Sequence, residues 1–556
     1  MSEQSDALNR TARERGVIIA DDVMPPAVPP GAGGAESAGR DLPRVLLPRN
    51  GQQISSFASK LSAIIGANGM FQRSAIPVTI DPESGAIAIM DAPRFQSYVE
   101  SHAKTCVRRN VTHGDPVDVL TSMSANEARA VLRADSFRFP LRKLQRVNSV
   151  RLPAMRANGR IELLPEGYDA ESEIFTMASG LEYDETMTLN QAIKILDDLL
   201  KEFPFENDRS KAVHVLAMLA LFGFSLQPTS ANRMSFMYRA NMPRAGKGLL
   251  VQTAIVPSCG PVSVEAIAEG EEFRKILDSS ALSGSHYLFL DEIENKLVNR
   301  TLNAFMTANT WSGRLFHSQN KFAVARTSIV FLAGNNVELS SDLAGRCLVC
   351  DLYVSEANPQ RRKISRVIDG NYLARPEVRA DILGALLALT KGWDRAGRPP
   401  ATSAFAGFAD FARVIGGIVQ HAGFGDPMAC AADDFDPEVQ DMTAVVSRLA
   451  ENVSHRWQYK FGEVIKVCRD LDAFSWHLQG KLVKNKTDDT AGAEHFELSQ
   501  SSKSWFGKLL SDRFGGTTFT LPDHRRVVFG ARGKNRSRTY SIEVVLSPDA
   551  TASRVP

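Results

Sequence analysis

The order of apolar and polar positions divides the chain into helical and strand-like segments. In TLNQAIKILDDLLKEFPF the apolar residues lie three and four apart, which predicts a helix, and a second helix follows from Lys211 to Phe222. Between about residues 235 and 355, short apolar runs alternate with helical segments: MSFMYRA, SHYLFLDE, TSIVFLAGNN and RCLVCDLYV. Strands that are buried on both faces have such continuous runs, so this region predicts a parallel α/β sheet.

The two regions before the predicted sheet, residues 1–42 and 43–200, have other patterns of apolar and polar residues. Residues 1–42 mix Pro, Gly and Ala without a helical or strand period, which predicts a disordered arm. Residues 43–200 predict an accessory α+β region, with a helix at Ile54 to Ile65, strands at IPVTI and AIAIM, and a helix at PRFQSYVESHA. Residues 43–200 contain no recognisable catalytic constellation, and the sequence does not indicate a role for residues 43–145.

After the sheet, the helical segments RADILGALLALTKGW and FADFARVIGGIVQHAG lead to an acidic boundary at ADDFDPEVQD. Residues 456–546 then predict two helices, QYKFGEVIKVCRDL and SSKSWFGKLLSDRFG, and a two-stranded hairpin, RRVVFGARGKNRSRTYSIEVV. This order predicts a winged helix, in which Trp505 and Phe506 are expected to build the core. A tail of residues 547–556 follows.

Composition limits the class of protein. A chain of 556 residues is expected to form about three or four domains, and 44% hydrophobic with 23% charged residues is typical of globular proteins. The formal net charge of +2 excludes a wholly basic coat protein, so any nucleic-acid surface must be local. We expect no signal peptide at the polar N-terminus, and the longest apolar run, VHVLAMLALFGFSL, is too short to cross a bilayer.

The six cysteines do not form the disulfide framework of a small secreted protein, and a reducing cytoplasm fits them best. Cys347 and Cys350 form a CxxC pair within a predicted buried strand, without a second CxxC or a pair of histidines. The alternatives are packed core thiols, which this context favours, and a metal or redox site.

A glycine-containing segment, NMPRAGKGLL, lies between the predicted strand MSFMYRA and a predicted helix. It is similar to the phosphate-binding pattern GxxxxGK[ST], in which backbone N–H groups and a helix N-terminus surround phosphates and the lysine binds them. Ala240 is assigned to the place of the first glycine, and Gly248 replaces the Ser or Thr whose hydroxyl usually holds Mg²⁺. Taken alone, the segment is either a nucleotide site or a chance glycine loop.

Polar residues also follow or precede three further predicted strands. Asp291 and Glu292 end HYLFLDE, where one carboxylate could hold Mg²⁺ and the other polarise the attacking water, or both could be a solvated strand end. Asn335 and Asn336 end SIVFLAGNN and could orient the water and sense the γ-phosphate. Arg346 precedes the last strand, either as a surface salt bridge or as positive charge for a neighbouring subunit's phosphoryl transfer.

In this order and spacing, ANMPRAGKG, LFLDE, VFLAGNN and DLAGR resemble the motifs of the AAA+ ATPases, and within them the superfamily 3 and MCM-like helicases of phages, plasmids and mobile elements. The resemblance extends from about residue 145 to the C-terminal hairpin. It implies a P-loop ATPase core over residues 201–395, a helical linker over 396–455, a winged helix over 456–546, ATP and Mg²⁺ as cofactors, and a hexameric ring.

The resemblance also implies a role for each matched residue. Lys247 would bind phosphate, Asp291 the Mg²⁺ ion and Glu292 the water. Sensor 1 would be Asn335 or Asn336, between which the sequence does not choose, and Arg346 would act in trans. Thr253 lies one turn too far along the helix to replace the missing hydroxyl, so a water is expected there. The residues assigned to nucleotide binding are Ala240, Arg244, Ala245, Gly246, Lys247, Gly248 and Leu249.

Two groups of basic residues are candidates for DNA contact. In a predicted hairpin before sensor 1, Arg314, His317 and Lys321 would reach into the ring channel and contact a single strand. The candidates for duplex contact lie in the predicted wing, after Asp523 and His524. They are Arg525, Arg526, Arg532, Lys534, Arg536 and Arg538. For both groups the alternative is a solvated charged surface.

These motifs predict an ATP-dependent DNA helicase or translocase that acts in replication of a phage, plasmid or integrated element. Two alternatives stay open: an initiator or remodelling ATPase that does not unwind DNA, and a DNA-binding regulator with a degenerate loop. The intact Lys247, Asp291 and Glu292 count against the regulator.

Overall fold

The structure is a computed structural model. It describes residues 42–49, 53–112, 115–268, 270–293, 296–314, 321–335, 337–355, 365–405, 407–429, 437–471, 473–474, 478, 481–483, 495–497, 500–521, 525–532 and 539–545. The predicted arm, apart from Leu42, and the predicted tail lie outside these residues. The chain divides into two compact units, one of Met1–Glu338 with Gly345–Ala429 and one of Leu339–Ala344 with Cys430–Pro556.

The N-terminal part of the first unit consists of short strands and helices. The strands are β1 (Arg44–Leu46), β2 (Met70–Arg73), β3 (Ile76–Ile80), β4 (Ile87–Ile89), β5 (Lys104–Arg109) and β6 (Val117–Leu120). The helices are α1 (Ile54–Ala67), α2 (Ala92–His102), α3 (Ala125–Arg133) and α4 (Asp135–Arg138). Strands β1, β5 and β6 form one sheet and β2, β3 and β4 another. The apolar faces of the helices share a core around Phe95 and Phe137. The helices and strands predicted over residues 54–103 are confirmed.

A middle segment leads to the two helices that precede the central sheet. Its strands are β7 (Arg146–Asn148), β8 (Pro153–Met155), β9 (Ile161–Leu163), β10 (Gly167–Asp169) and β11 (Ile174–Thr176), and its helices are α5 (Leu189–Leu200) and α6 (Asp208–Phe222). Helix α5 begins at a capping box in which Thr188 and Gln191 satisfy each other's backbone N–H groups. Helix α6 is buried continuously from Ala212 to Phe222, which explains its apolar run. In the described part of the chain, no helix has the length and apolar composition that a membrane crossing needs.

The centre of the first unit is a four-stranded parallel sheet. Its part of the chain contains β12 (Ser235–Ala240), β13 (Tyr287–Ile293), β14 (Lys296–Leu297), β15 (Thr310–Arg314), β16 (Lys321–Ala325), β17 (Ile329–Asn335), β18 (Glu338–Leu339) and β19 (Cys347–Leu352). The strand order in the sheet is β13, β17, β12, β19, and every neighbouring pair is parallel. The predicted α/β fold with a parallel sheet is confirmed, and the carboxyl ends of β12, β13 and β17 meet at one edge.

Helices separate and follow these strands along the chain. They are α7 (Lys247–Cys259), α8 (Gly270–Leu282), α9 (Arg300–Thr307), α11 (Gly370–Ala374), α12 (Pro376–Arg395), α13 (Ala409–Phe411), a π-helical turn (Ala412–Gly416) and α14 (Gly417–His421), while α10 (Ser341–Ala344) belongs to the second unit. One apolar core joins α5, α6, α7 and α12 to the strands, with Trp393 and Tyr238 among its largest buried side chains. This core fixes the position of α7 relative to β12.

The second unit is an antiparallel sheet packed with helices. Its elements are α15 (Pro437–Ala450), β20 (Arg456–Lys460), α16 (Phe461–Asp470), β21 (Lys481–Val483), β22 (His495–Glu497), α17 (Gln500–Phe514), β23 (Thr517–Thr520), β24 (Arg526–Arg532) and β25 (Thr539–Val545). The predicted hairpin is present as β24 and β25, but β20 and β23 extend it to four strands in the order β20, β25, β24, β23. Phe506 is buried in the core, whereas Trp505 is 49% exposed, which corrects its predicted core position.

Candidate functional site

The loop of residues 241–246 connects the carboxyl end of β12 to the N-terminus of α7. Gly246, with φ of 97°, ends the loop in a left-handed conformation that glycine adopts without strain. Arg244 is also left-handed, with φ of 65°, which costs about 1 kcal/mol for a residue with a Cβ atom. Among the described residues, no side chain caps α7, so the N–H groups of its first turn are open to a ligand.

Two contacts hold this loop against the neighbouring strand. The Asn241 side chain donates to the Val354 carbonyl oxygen at 2.9 Å and accepts from the Val354 N–H at 3.0 Å. One residue before the end of β12, Arg239 pairs with Asp351 of β19 at 2.7 Å. Counted back from Gly246, the first position of the phosphate-binding pattern falls on Asn241.

This count corrects the assignment of Ala240 to the first glycine. Ala240 is the last residue of β12 and is buried in the core, one residue before the loop. Of the remaining loop residues assigned to nucleotide binding, Ala245 is buried and Arg244 is exposed. Leu249, in the first turn of α7, packs partly against the apolar core.

Lys247 and Asn335 meet at the carboxyl edge of the sheet. Lys247 is the first residue of α7, and Asn335 is the last residue of β17, in register with Ala240. The Lys247 ammonium group donates a hydrogen bond to Asn335 Oδ1 at 3.1 Å. Asn336, the other sensor candidate, lies outside the described residues. The structure therefore brings Asn335 to the lysine.

Asp291 lies against the first turn of α7. A Cβ atom at Gly248 would be 3.3 Å from Asp291 Oδ2, so the position that lacks a hydroxyl faces this carboxylate. Glu292 is exposed, has a φ of 57°, and donates its N–H to Asp291 Oδ1 at 2.7 Å. The register between β13 and β17 shifts between Leu290 and Ile293, which bends the strand at the acidic pair.

The glycine of VFLAGNN is a packing requirement. A Cβ atom at Gly334 would come closer than 3.0 Å to the Ile293 carbonyl oxygen and to the Val337 side chain, an approach that real Cβ atoms essentially never show. Strands β13 and β17 can therefore lie this close only with glycine at this position. The close approach pairs Ile293, the residue after the acidic pair, with Gly334, the residue before Asn335.

A buried hydrogen-bond chain joins the helix after the loop to the strand before it. Thr253 Oγ1 donates to the Leu250 carbonyl oxygen at 2.7 Å, so it accepts from His214 Nε2, which lies 2.9 Å away. His214 Nδ1 then accepts from the Tyr238 hydroxyl at 2.9 Å. Burial lowers the pKa of His214 from 6.5 to about 3, so the ring is neutral. These hydrogen bonds could not be predicted from the sequence, because His214 lies within an apolar helical run.

The same hydrogen bonds determine whether Thr253 can take the role of the missing hydroxyl. Thr253 is fully buried, and its hydroxyl is occupied by Leu250 and His214. It is therefore not placed to replace the hydroxyl that Gly248 lacks, as its helical position predicted.

Arg346 lies at the opposite edge of the sheet from Lys247. It directly precedes β19, and its carbonyl oxygen accepts from the Ser235 N–H at 2.9 Å, at the beginning of β12. The six residues of β19 span roughly 17 Å at about 3.3 Å per residue. The structure therefore does not bring Arg346 to Lys247, Asp291 and Asn335 of its own chain.

The hairpin predicted before sensor 1 is present as β15 and β16, with Arg314 paired in register to Lys321. Both residues are exposed at the far end of the hairpin. His317 lies outside the described residues. The structure thus groups two of the three predicted cations on one hairpin.

In the second unit, Arg526 and Arg532 begin and end β24 and are exposed on the face opposite the buried Val527 and Phe529. Arg525 is half-buried and donates to the Val453 carbonyl oxygen at 3.2 Å, so it also has a structural contact. The other predicted cations, Lys534, Arg536 and Arg538, lie outside the described residues, as do Asp523 and His524.

The CxxC pair is buried in β19. Burial raises the pKa of both Cys347 and Cys350, which keeps the thiols neutral. Neither is in a disulfide, and the described residues contain no group of three or more His, Cys, Asp or Glu side chains arranged to hold a metal ion. These observations fit packed core thiols.

No protein-family profile and no curated protein matches the chain. Two solved structures that are similar to it are both described as the A form apo structure of the NrS-1 C-terminal region. The first is 13% identical, with a TM-score of 0.27, and the match covers 42% of this chain and 51% of that one, so this chain spans about half its length. The second, of residues 305–718, is 10% identical, with a TM-score of 0.35, and the match covers 80% of this chain and 99% of that one.

Proposed function

We propose that the chain is an ATP-dependent DNA helicase or translocase that works as a hexameric ring in replication of a phage, plasmid or integrated element. The observation that carries the proposal is the meeting of three residues from three elements. Lys247 bonds to Asn335 at 3.1 Å, and Asp291 faces the first turn of the same helix at Gly248. Nucleoside triphosphate hydrolysis needs a phosphate-binding lysine, a metal-binding carboxylate and a polar water-positioning group within reach of one phosphate chain.

The residues present fit ATP and Mg²⁺. The left-handed Gly246 and the uncapped first turn of α7 expose backbone N–H donors for phosphate oxygens, and Lys247 adds a positive charge. Asp291 offers oxygen ligands to Mg²⁺, and the space at Gly248 is available to a water in place of the missing hydroxyl. A bound Mg²⁺ ion supplies positive charge to the phosphate oxygens. Glu292, one residue further and exposed, is the candidate for polarising the attacking water.

The place of Arg346 supports the proposed ring arrangement. An arginine at the opposite edge of the sheet from its own loop can act on a nucleotide only in a neighbouring subunit. The hairpin cations Arg314 and Lys321 would then contact single-stranded DNA, and Arg526 and Arg532 of the second unit would contact duplex DNA.

The first test is ATP hydrolysis with and without single-stranded DNA. We expect hydrolysis that DNA stimulates and that Lys247→Ala abolishes, while Lys60→Ala, which removes an exposed lysine from α1, leaves the rate unchanged. Asn335→Ala should retain nucleotide binding and lose hydrolysis. Hydrolysis that does not depend on Lys247 would reject the site. Strand displacement on a forked duplex separates a helicase from an ATPase that remodels DNA without unwinding it.

A mixing experiment tests whether Arg346 acts in trans. Arg346→Ala and Lys247→Ala subunits should each be inactive alone. A mixed ring contains interfaces that join the intact loop of one subunit to the intact arginine of its neighbour, so the mixture should recover part of the hydrolysis. A mixture as inactive as its components would reject action in trans.

A further inference from the structure

A cleft of about 460 Å³ lies at the base of the β15–β16 hairpin, outside the site described above. Two guanidinium groups, Arg274 and Arg300, and the hydroxyl-bearing Thr301 and Thr310 line it, and none of its lining residues is acidic. A space of this size takes a ligand about as large as one nucleotide and not a duplex. Its chemistry therefore fits a small anionic group.

Arg274 is held in place at one wall of the cleft. Its guanidinium group donates to the Ser312 carbonyl oxygen at 2.9 Å and lies over the Trp311 ring, 5.1 Å from the centroid. Trp311 is buried, and its indole N–H donates to Asp278 at 2.6 Å. A guanidinium group has five N–H donors, and Ser312 accepts from one of them. Arg274 is thus held at the cleft wall, near the Asp278 carboxylate, with N–H donors that Ser312 does not use.

Arg300 supplies the second charge. It is the first residue of α9, it is exposed, and it forms no ion pair with any described residue. The N-terminus of α9 is capped by Asn299, which accepts from the Leu302 N–H at 2.9 Å. The partial positive charge of this helix end adds to that of the side chain.

The cleft continues a charged surface of the hairpin. Along β15 the alternating residues Thr310, Ser312 and Arg314 are exposed, while Trp311 is buried on the other face. Thr310, at the cleft, and Arg314, at the far end, are four residues apart, which is roughly 13 Å along a strand. Arg274, bonded at Ser312, and Arg314, two residues further along, therefore place two cations along one strand.

We infer that this cleft binds backbone phosphates of a single DNA strand that runs along the β15–β16 hairpin, with Arg274 and Arg300 as the phosphate-binding residues. The inference rests on the proposed function, because it assigns part of the strand's path. It adds a contact at the base of the hairpin to the cations at its far end.

The test measures binding of a fluorescent oligothymidylate to the full chain by anisotropy over a range of salt concentrations, without nucleotide. Arg300→Ala should weaken binding roughly 3- to 10-fold and reduce the slope of log K against log salt by about 0.7, the value for one lost contact on a single strand. Arg300→Lys should restore most of both. Arg160→Ala, which removes an exposed arginine elsewhere in the same unit, should change neither.

Three outcomes overturn the inference: an unchanged salt slope in Arg300→Ala, an equal loss of affinity for a duplex, or displacement of the oligonucleotide by polyglutamate as efficient as by unlabelled oligothymidylate. ATP hydrolysis without DNA separates this failure from that of the proposed function. Lys247-dependent hydrolysis with an unchanged slope in Arg300→Ala rejects the cleft alone. Absence of Lys247-dependent hydrolysis rejects the ATPase, whatever the cleft binds.

Discussion

Acid is expected to weaken the first unit through His214, a residue that contacts no candidate ligand. The His214 imidazole forms hydrogen bonds to Tyr238 and to Thr253, each 2.9 Å long. Burial lowers its pKa from 6.5 to about 3. Between these values the folded chain holds a neutral histidine, whereas the unfolded chain holds a protonated one.

The size of the effect follows from this difference in proton binding. Because the folded pKa is the lower one, the contribution to stability is complete above pH 6.5 and is lost as the pH falls towards 3. Within that window the free energy of unfolding changes with pH by up to about 1.4 kcal/mol per pH unit. At pH 5 the loss is about 2 kcal/mol, and complete protonation would cost about 5 kcal/mol.

Urea denaturation of the parent chain and of His214→Gln at pH 7.5 and pH 5 measures this loss. Glutamine offers both a donor and an acceptor but does not titrate. The free energy of unfolding of the parent should fall by about 2 kcal/mol more than that of the variant. Burial also lowers the pKa of His286. Because His286 is present in both proteins, its contribution cancels when their losses are compared. Equal losses in parent and variant would show that His214 is not neutral and buried as described.

Three further substitutions address the candidate site. Gly334→Ala should push Ile293 and the adjacent acidic pair away from β17, which lowers the hydrolysis rate roughly 10- to 100-fold and costs about 1–3 kcal/mol of stability. Glu292→Gly should abolish hydrolysis but raise the free energy of unfolding by about 1 kcal/mol, because it relieves a left-handed backbone. Gly248→Ser places a hydroxyl beside Asp291 and should lower the Mg²⁺ concentration for half-maximal hydrolysis on the order of threefold.

Each substitution has a matched control. Gly370→Ala adds a methyl group whose nearest neighbour is 3.5 Å away, and it should leave hydrolysis unchanged. Glu292→Gln keeps the strained backbone, so it should lose hydrolysis without gaining stability. Gly248→Ala adds the Cβ atom without the hydroxyl and should not lower the Mg²⁺ requirement. A Gly334→Ala chain with normal activity, or controls that behave like their partners, would contradict these assignments.

The sequence predicts those parts of the fold and of the site that depend on residues close together along the chain. Continuous apolar runs predict each strand of the central sheet, and three of the polar residues noted beside these runs, Lys247, Asp291 and Asn335, lie at one edge of that sheet. The reason is that parallel strands present their carboxyl ends together. The hairpin ending at Arg314 and Lys321 is equally local, since its two strands are close in sequence.

Features set by distant partners could not be predicted. The segment from Gln458 to Lys460 has helical spacing, but it is an edge strand because it pairs with β25, far along the chain. Trp505 has the apolar character of a core residue, and only the packing of α17 leaves it exposed. The partners of His214 lie on two other elements, so no periodicity within its own helix could indicate them.

Strand β19 has a mechanical consequence for the proposed ring. It begins directly after Arg346, is in register with β12 over its whole length, and leads to Val354, which holds the Asn241 side chain of the loop. Six consecutive backbone pairs make such a strand stiff, so its two ends keep a constant separation. In the proposed ring, β19 would therefore link a contact between Arg346 and a neighbour's nucleotide to the loop of its own subunit, without a hinge inside the strand.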